Sequence, residues 1–421
     1  MYLFLYNFSL FLFRTGIQLA SLMNPKARLW LKGRENIFES LETALSQKRK
    51  TVWIHCASLG EFEQGRPVIE KIRADHPECR LLITFFSPSG YEVRKEYKIA
   101  DHISYLPLDS ASNAKRFLNI VNPCLVIFVK YEFWYYYFKN IRQRQIPFLL
   151  ISAVFRNNQP FFTWYGTLYR KMLKSFTWIF VQDSHSKDLL TTRRLQQNVT
   201  IAGDTRFDRV AAIARKFEPL TLIDQFCKDR KVIVAGSTWP DDEKQLSDVF
   251  SSANDPSLQL IIAPHEIDKS HLAQLRILFP NALLYSDLTT NNLLANRYHG
   301  VLIIDTVGIL SRLYHYAYIA YIGGGFTRDG IHNILEAAVY GKPVVFGPVY
   351  HKYREAIELI EAGGAKSFST TMELKDIIES LLRNKDDYDQ KSMASKVYVQ
   401  QNEGATNKIM EFIQENRLLT R

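Results

Sequence analysis

The chain has 421 residues, 47% of them apolar, a net charge of +10 and a pI of about 9.2. Its length suits two or three ordinary domains, and its apolar share allows large cores. The four cysteines, Cys56, Cys79, Cys124 and Cys227, are widely spaced with no C-x-x-C, and no His/Cys cluster has zinc-site spacing, so the chain reads as a cytoplasmic protein with reduced thiols.

A basic balance fits nucleic acid, an anionic membrane surface or anionic substrates. The cations read as scattered, and no RRM, KH, helix-turn-helix or zinc motif occurs, which sets nucleic acid aside.

Residues 1–35 form a segment of their own. Tyr2 to Phe13 are almost all apolar or aromatic; Arg14 interrupts, and Gly16 to Met23 resumes the run. The uninterrupted part falls short of the roughly 20 apolar residues of a spanning helix. It has no basic n-region and no small-residue cleavage site, which argues against a secretory signal. Lys26, Arg28, Trp30, Lys32 and Arg34 follow, a pattern suited to an anionic cytoplasmic leaflet. A buried first helix is the alternative, and both spanning and lying flat stay open.

Thr51 to Ala57 reads as a strand, then Ser58-Leu59-Gly60-Glu61 turns into a helix over Phe62 to Ala74. Strands at Arg80–Phe86, Asp101–Leu106, Leu125–Val129, Phe148–Ala153 and Trp178–Gln182 alternate with helices, which implies parallel βαβ units. A second set runs through Val232–Ala235, Leu258–Ala263, Val301–Ile304, Ala317–Ile322 and Val344–Phe346, followed by a largely helical tail from Glu355 to about Leu419. The expected architecture is α/β: two Rossmann-like doubly wound domains facing a cleft, residues 36–205 and 206–421, with ligands beyond the carboxyl ends of the strands.

Gly323-Gly324-Gly325 follows the strand Ala317–Ile322 and leads to a helix expected from Asn333 to Gly341. Bare N–H groups, the helix dipole and close backbone approach make such a turn an anion site. Glu336, in the first helical turn, suits the two hydroxyls of a ribose. A strand-to-helix connection with no ligand is the plain alternative.

Taken together, the motifs resemble the 3-deoxy-D-manno-octulosonic acid (Kdo) transferase family of lipopolysaccharide core biosynthesis. They are Ser58-Leu59-Gly60-Glu61, Ser87-Pro88-Ser89-Gly90, Glu132-Phe133-Trp134, Gly203 to Asp208, Gly236-Ser237-Thr238, Asp305 to Gly308, the Gly324-to-Ala338 stretch and Gly347-Pro348. They span nearly the whole chain in the family's order. The resemblance implies a GT-B glycosyltransferase, inverting and independent of metal and cofactor. It implies a CMP-Kdo donor, a lipid A precursor as acceptor, and anchoring of the N-terminus on the cytoplasmic face of the cell inner membrane. A GT-B enzyme using a UDP-sugar is the alternative.

Glu61 opens a helix after a strand, where the dipole favours the ionised form a general base requires; first-turn helix stabilisation is the bland role. By resemblance, Glu132 holds the transition state or orients a catalytic group; a strand-end pair with Lys130 or Arg156 is its alternative. Lys130 and Tyr135 to Tyr137 depart from the family's usual pattern here. Arg206 stands where the family usually has Lys and would neutralise the leaving phosphate, unless it only pairs with Asp204 or Asp208.

Ser58 and Gly60 belong to the acceptor-side turn. Ser237 and Thr238 either bind phosphate or cap the next helix. Pro264 and His265, Val307, Gly308 and Ile309 are expected at the cytidine pocket. His265 takes the place of a common Arg, and Ile309 that of a common Glu. Gly324, Gly325, Asn333, Ile334, Leu335 and Glu336 are expected to hold the nucleotide, while His332 packs or caps. The aromatic segments Phe128–Phe138 and Phe155–Tyr169 are either core or a lipid-facing surface.

Overall fold

The computed structural model describes residues 2–130, 132–252, 257–289 and 300–420, which leaves Tyr131 of the first aromatic segment outside. The chain divides into two units, Met1–Arg209 with Glu403–Arg421, and Val210–Asn402.

The first unit contains strands β1 (Thr51–Cys56), β2 (Arg80–Phe85), β3 (His102–Tyr105), β4 (Pro123–Val129), β5 (Phe148–Ala153), β6 (Trp178–Val181) and β7 (Val199–Ile201). They form one parallel sheet in the order β3-β2-β1-β4-β5-β6-β7. Period-two alternation sorts their side chains into two cores. Trp53, Leu82, Val126 and Phe128 enter one layer. Val52, Ile54, Leu81, Ile83, Leu125 and Ile127 enter the other. A sheet buried on both faces explains why these strands read as continuous apolar runs.

The second unit contains β8 (Lys231–Thr238), β9 (Leu258–Pro264), β10 (Leu283–Leu284), β11 (Val301–Ile303), β12 (Ile319–Ile322), β13 (Val344–Phe346) and β14 (Ala365–Ser367). Their order is β10-β11-β9-β8-β12-β13-β14, again parallel. Chain order reverses between β1 and β4 in the first sheet and between β8 and β12 in the second, where β11 also comes between β9 and the edge strand β10. These switch points are where doubly wound sheets bind ligands.

Three edge strands, β7, β10 and β14, have no counterpart in the sequence reading. β14 lies inside the tail read as helical. At three residues it has no periodicity of its own; pairing of Ala365 with Val344 makes it a strand. The last helix also departs from the 206–421 assignment. Ala405–Glu415 belongs to the first unit, where Ala405, Ile409, Met410 and Ile413 are buried with Phe62, Val68 and Ile69. Asp208 fixes its start: its carboxylate accepts from the Gly404 N–H at 2.6 Å and from the Thr406 N–H and hydroxyl, both at 2.7 Å.

At the N-terminus Arg14 does not break the helix, which runs unbroken over Tyr2–Ala20 and is long and apolar enough to cross a membrane, with none of its residues buried. One side touches the rest of the first unit. Tyr6 donates to Asp109 at 2.6 Å, Tyr136 donates to Asn7 at 2.9 Å, and Phe13 meets Trp30 and Phe86. Phe4, Leu5, Phe8, Phe11 and Leu12 are exposed.

Candidate active site

In the first unit, β1 and β4 each end in a carboxylate-bearing loop. After β1, Ser58 starts the helix Leu59–Asp75, and its hydroxyl makes no capping hydrogen bond. Glu61 reaches back instead. Its Oε2 accepts from the Ala57 N–H at 2.5 Å, and the residue is buried. The helix-stabilising role is therefore present, and the same bond holds the carboxylate at the carboxyl end of the switch-point strand. Gly60 leaves open space beside it. The competing carboxylate, Glu63, is committed to Arg94 and Arg209.

After β4, Glu132 is paired with neither Lys130 nor Arg156 in the way the alternative reading expected. Its Oε2 lies 2.5 Å from His55 Nε2 and accepts from Trp134 Nε1 at 2.9 Å. His55 is buried in β1, and its Nδ1 lies 2.8 Å from the Thr84 hydroxyl. That hydroxyl also accepts from Trp53 Nε1 at 2.8 Å. Its single proton is free to go to His55 Nδ1, an arrangement in which the ring presents an Nε2–H to Glu132. One β1–β2 chain of side chains thereby aims a carboxylate on the β4 loop.

Arg206 opens the helix Thr205–Arg215 and is held by Asp204 through Nε at 2.9 Å and Nη2 at 2.7 Å. The local ion pair is thus made. It is with Asp204, because Asp208 is occupied by the last helix.

In the second unit the glycine turn follows β12. Glycine is required at all three positions of the turn: a Cβ on Gly323 would lie 2.3 Å from the Ser237 carbonyl oxygen, one on Gly324, whose φ is 90°, 2.6 Å from the Gly330 carbonyl oxygen, and one on Gly325 2.5 Å from the Gly347 Cα. The helix beyond is only Leu335–Ala338, shorter than the expected Asn333-to-Gly341 span, so its dipole contributes little. Several N–H groups are also committed. Gly323 donates to Gly236, Gly324 to Asp242 Oδ2 at 2.8 Å, His332 to Gly323, and Leu335 to Asn333 Oδ1 at 3.1 Å. Ile334 and Leu335 are fully buried, which removes their side chains from any ligand. Asn333 instead orients Glu336, its Nδ2 donating to Oε1 at 3.1 Å.

Thr238 is buried and donates to Glu243 Oε1 at 2.8 Å, so its hydroxyl serves the next helix rather than a phosphate. Ser237 takes the left-handed region, φ 54°, beside the glycine turn. His265 follows Pro264 at the end of β9, stacks on Trp239 with centroids 4.8 Å apart, and packs tilted by 30° against His332 at 4.5 Å. Trp239 Nε1 donates to His332 Nε2 at 3.3 Å. Burial, and secondarily His265, pushes the His332 pKa down to about 4. Val307 and Gly308 are exposed after β11, and Gly308 has φ 90°.

Sequence reasoning missed His55, Asp242, Glu243 and Trp239. Asp242 accepts from Trp239 N, Gly324 N and the Tyr321 hydroxyl, and Glu243 from Thr238 and His271. The available signal was the acidic run Asp241-Asp242-Glu243 after Pro240, which opens a helix directly behind β8.

The family model described as 3-deoxy-D-manno-octulosonic-acid transferase (kdotransferase) matches residues 33–209. The 3-deoxy-D-manno-octulosonic acid transferase of Aquifex aeolicus is 29% identical over 76% of this chain and 83% of its own length. That of Haemophilus influenzae is 26% identical over 94% of this chain and 93% of its own length. Among solved structures, the UDP-GlcNAc 2-epimerase of Neisseria meningitidis superposes with a TM-score of 0.60 at 18% identity, covering 87% of this chain and 100% of that one. MurG of Acinetobacter baumannii gives 0.55 at 13%, covering 87% and 99%. At these identities the structures speak for the fold alone, which is GT-B.

Proposed function

We propose, from the family-model match over residues 33–209 and the similarity to the Kdo transferases of Aquifex aeolicus and Haemophilus influenzae, that this chain is a Kdo transferase that transfers Kdo from CMP-Kdo, with inversion and without metal, to a lipid A precursor of the lipid IVA type. In this reading Glu61 removes the proton from the acceptor hydroxyl as that oxygen attacks the anomeric carbon. Glu132, aimed by His55, stabilises the charge that develops. Arg206 is the first unit's cation for the negative charge of the departing CMP, and within the second unit the backbone around Ser237 and Gly325 binds the donor's phosphate. Asn333 and Glu336 hold the ribose, and the stack of Trp239, His265 and His332 lies beside the cytidine.

One observation carries the reading: Glu61 and Glu132 follow the two switch-point strands of one sheet, each with a carboxylate oxygen already fixed by a donor. Such fixed groups lose little orientational freedom on reaching the transition state. The exposed apolar helix Tyr2–Ala20 supports work at the cytoplasmic face of the inner membrane, where a lipid acceptor would be presented.

Incubation of the purified protein with CMP-Kdo and a tetra-acylated lipid A precursor tests this. The expected result is CMP release matched by a product heavier by whole Kdo units. Turnover with a UDP-sugar and none with CMP-Kdo would replace this reading with that of a different GT-B enzyme.

A further inference from the structure

Carboxylates are absent from two long stretches, residues 1–34 and 133–182, which together carry twelve of the chain's 53 lysines and arginines and none of its 43 acids. These stretches alone exceed the net charge of +10, so the cations that read as scattered are concentrated once the acids are mapped. The two stretches also meet in space. Tyr6 packs edge-on against Tyr135 at 6.1 Å and donates to Asp109, Asn7 accepts from Tyr136, and the N-terminal helix touches the helix Thr167–Leu173. Beside them Trp164 and Tyr165 are 87% and 49% exposed, on a loop whose carbonyls at Phe161 and Thr163 are held by Arg170.

Between the helices Tyr135–Gln143 and Thr167–Leu173 lies a cavity of about 420 Å³. Lys139, Arg142 and Lys171 line it, with Gln143 and Ser175 as further polar groups and no carboxylate. None of the three cations has an ion-pair partner among the described residues. Unpaired cations around a concavity, next to exposed apolar and aromatic side chains, are complementary to a phosphate whose substituents continue into hydrocarbon.

We infer that this cavity binds the phosphate headgroup of an anionic membrane phospholipid and, with the N-terminal helix and the Trp164–Tyr165 loop, sets how the first unit lies on the membrane. The inference rests on the membrane placement proposed above and is independent of the transfer chemistry. The cavity opens at Tyr135, three residues after Glu132, and Lys139 and Arg142 line it one and two turns farther along the helix. The helix Tyr135–Gln143 starts beside Glu132 and runs back toward the amino ends of the strands, so Arg142 lies about 10 Å farther along its axis than Tyr135.

The experiment is flotation of the full chain with phosphatidylcholine vesicles, with and without phosphatidylglycerol. The wild type should favour the anionic vesicles. The triple variant Lys139→Gln, Arg142→Gln, Lys171→Gln should lose that preference, on the order of a hundredfold for three surface cations. Its circular dichroism and its Kdo transfer in detergent should match wild type, and this detergent arm tests the transferase reading by itself. A control triple, Lys26→Gln, Lys32→Gln, Arg156→Gln, should lose clearly less. An equal loss would mean diffuse charge rather than a pocket and would overturn the inference. So would undiminished anionic binding by the first triple, or displacement by inorganic phosphate at matched ionic strength, which would make free phosphate the ligand.

Discussion

His55 Nε2 and Glu132 Oε2 lie 2.5 Å apart, which joins the carboxyl end of one switch-point strand to the loop that follows the other. The pair is one link in a chain from Trp53 through Thr84 and His55 to Glu132. His55 touches no proposed reacting atom; it is a positioning residue. His55→Phe would preserve packing against Phe128 but leave Thr84 and Glu132 each short of a partner, at a cost of about 1–3 kcal/mol in stability. Transfer should fall mainly in kcat, and His55→Gln, which keeps a donor for Glu132, should recover part of it. Steady-state kinetics of the two variants separates this from simple loss of fold, which would lower both alike.

Glu61→Gln retains an oxygen to accept from the Ala57 N–H, so the helix start should survive. A neutral amide cannot take the acceptor's proton. Transfer should drop on the order of 10²–10⁴-fold while CMP binding stays unchanged. Wild-type turnover by this variant would remove Glu61 from the mechanism.

Asp109 supplies a cap that the local sequence lacks. Trp134 stands at the N-cap position of the helix Tyr135–Gln143 and has no side-chain acceptor to offer. Asp109 accepts from Tyr136 N at 2.9 Å, Tyr137 N at 3.1 Å and the Tyr6 hydroxyl. Asp109→Ala should cost about 1–2 kcal/mol, read by urea denaturation. Tyr6→Phe leaves Asp109 in place and removes one tether of the N-terminal helix together with the acceptor of the Tyr135 N–H. It should accelerate proteolytic clipping before residue 25 with a smaller change in global stability.

Asn333→Ala should leave Glu336 without its amide donor. If Glu336 holds the donor's ribose, KM for CMP-Kdo rises several-fold with little change in kcat, the signature of lost uniform binding. Glu336→Gln should show the larger effect in the same direction.

The His332 pKa, pushed down to about 4 by burial, bears on pH dependence. The unfolded chain takes up this proton near pH 6.5, the folded chain only near 4, so stability is complete above about 6.5 and falls as pH drops between the two. Protonating Nε2 would also remove the acceptor that Trp239 uses. His332→Phe should flatten the melting temperature across that window relative to wild type. An identical slope in both proteins would show that other groups set it.

Strands buried on both faces announce themselves as apolar runs. β1, β2, β4, β5, β8, β9, β12 and β13 were therefore legible, as were the motif-bearing turns that follow them. The alternation of helix and strand made the connections parallel. Edge strands β7, β10 and β14 were not legible, because two or three residues carry no period and depend on a neighbour's hydrogen bonds.

Tertiary structure alone decided which polar groups remained available to a ligand. Thr238 and the Gly324 N–H are consumed by Glu243 and Asp242, and Glu63 is consumed by Arg94 and Arg209, while Glu132 gains His55 from 77 positions away. It also returned the last helix to the first unit, since its apolar face matches a surface formed by strands over 200 residues earlier. Local sequence specifies backbone propensity and the face a residue presents. Partnership between distant donors and acceptors depends on the sheet order, and that order is settled only when the strands pack.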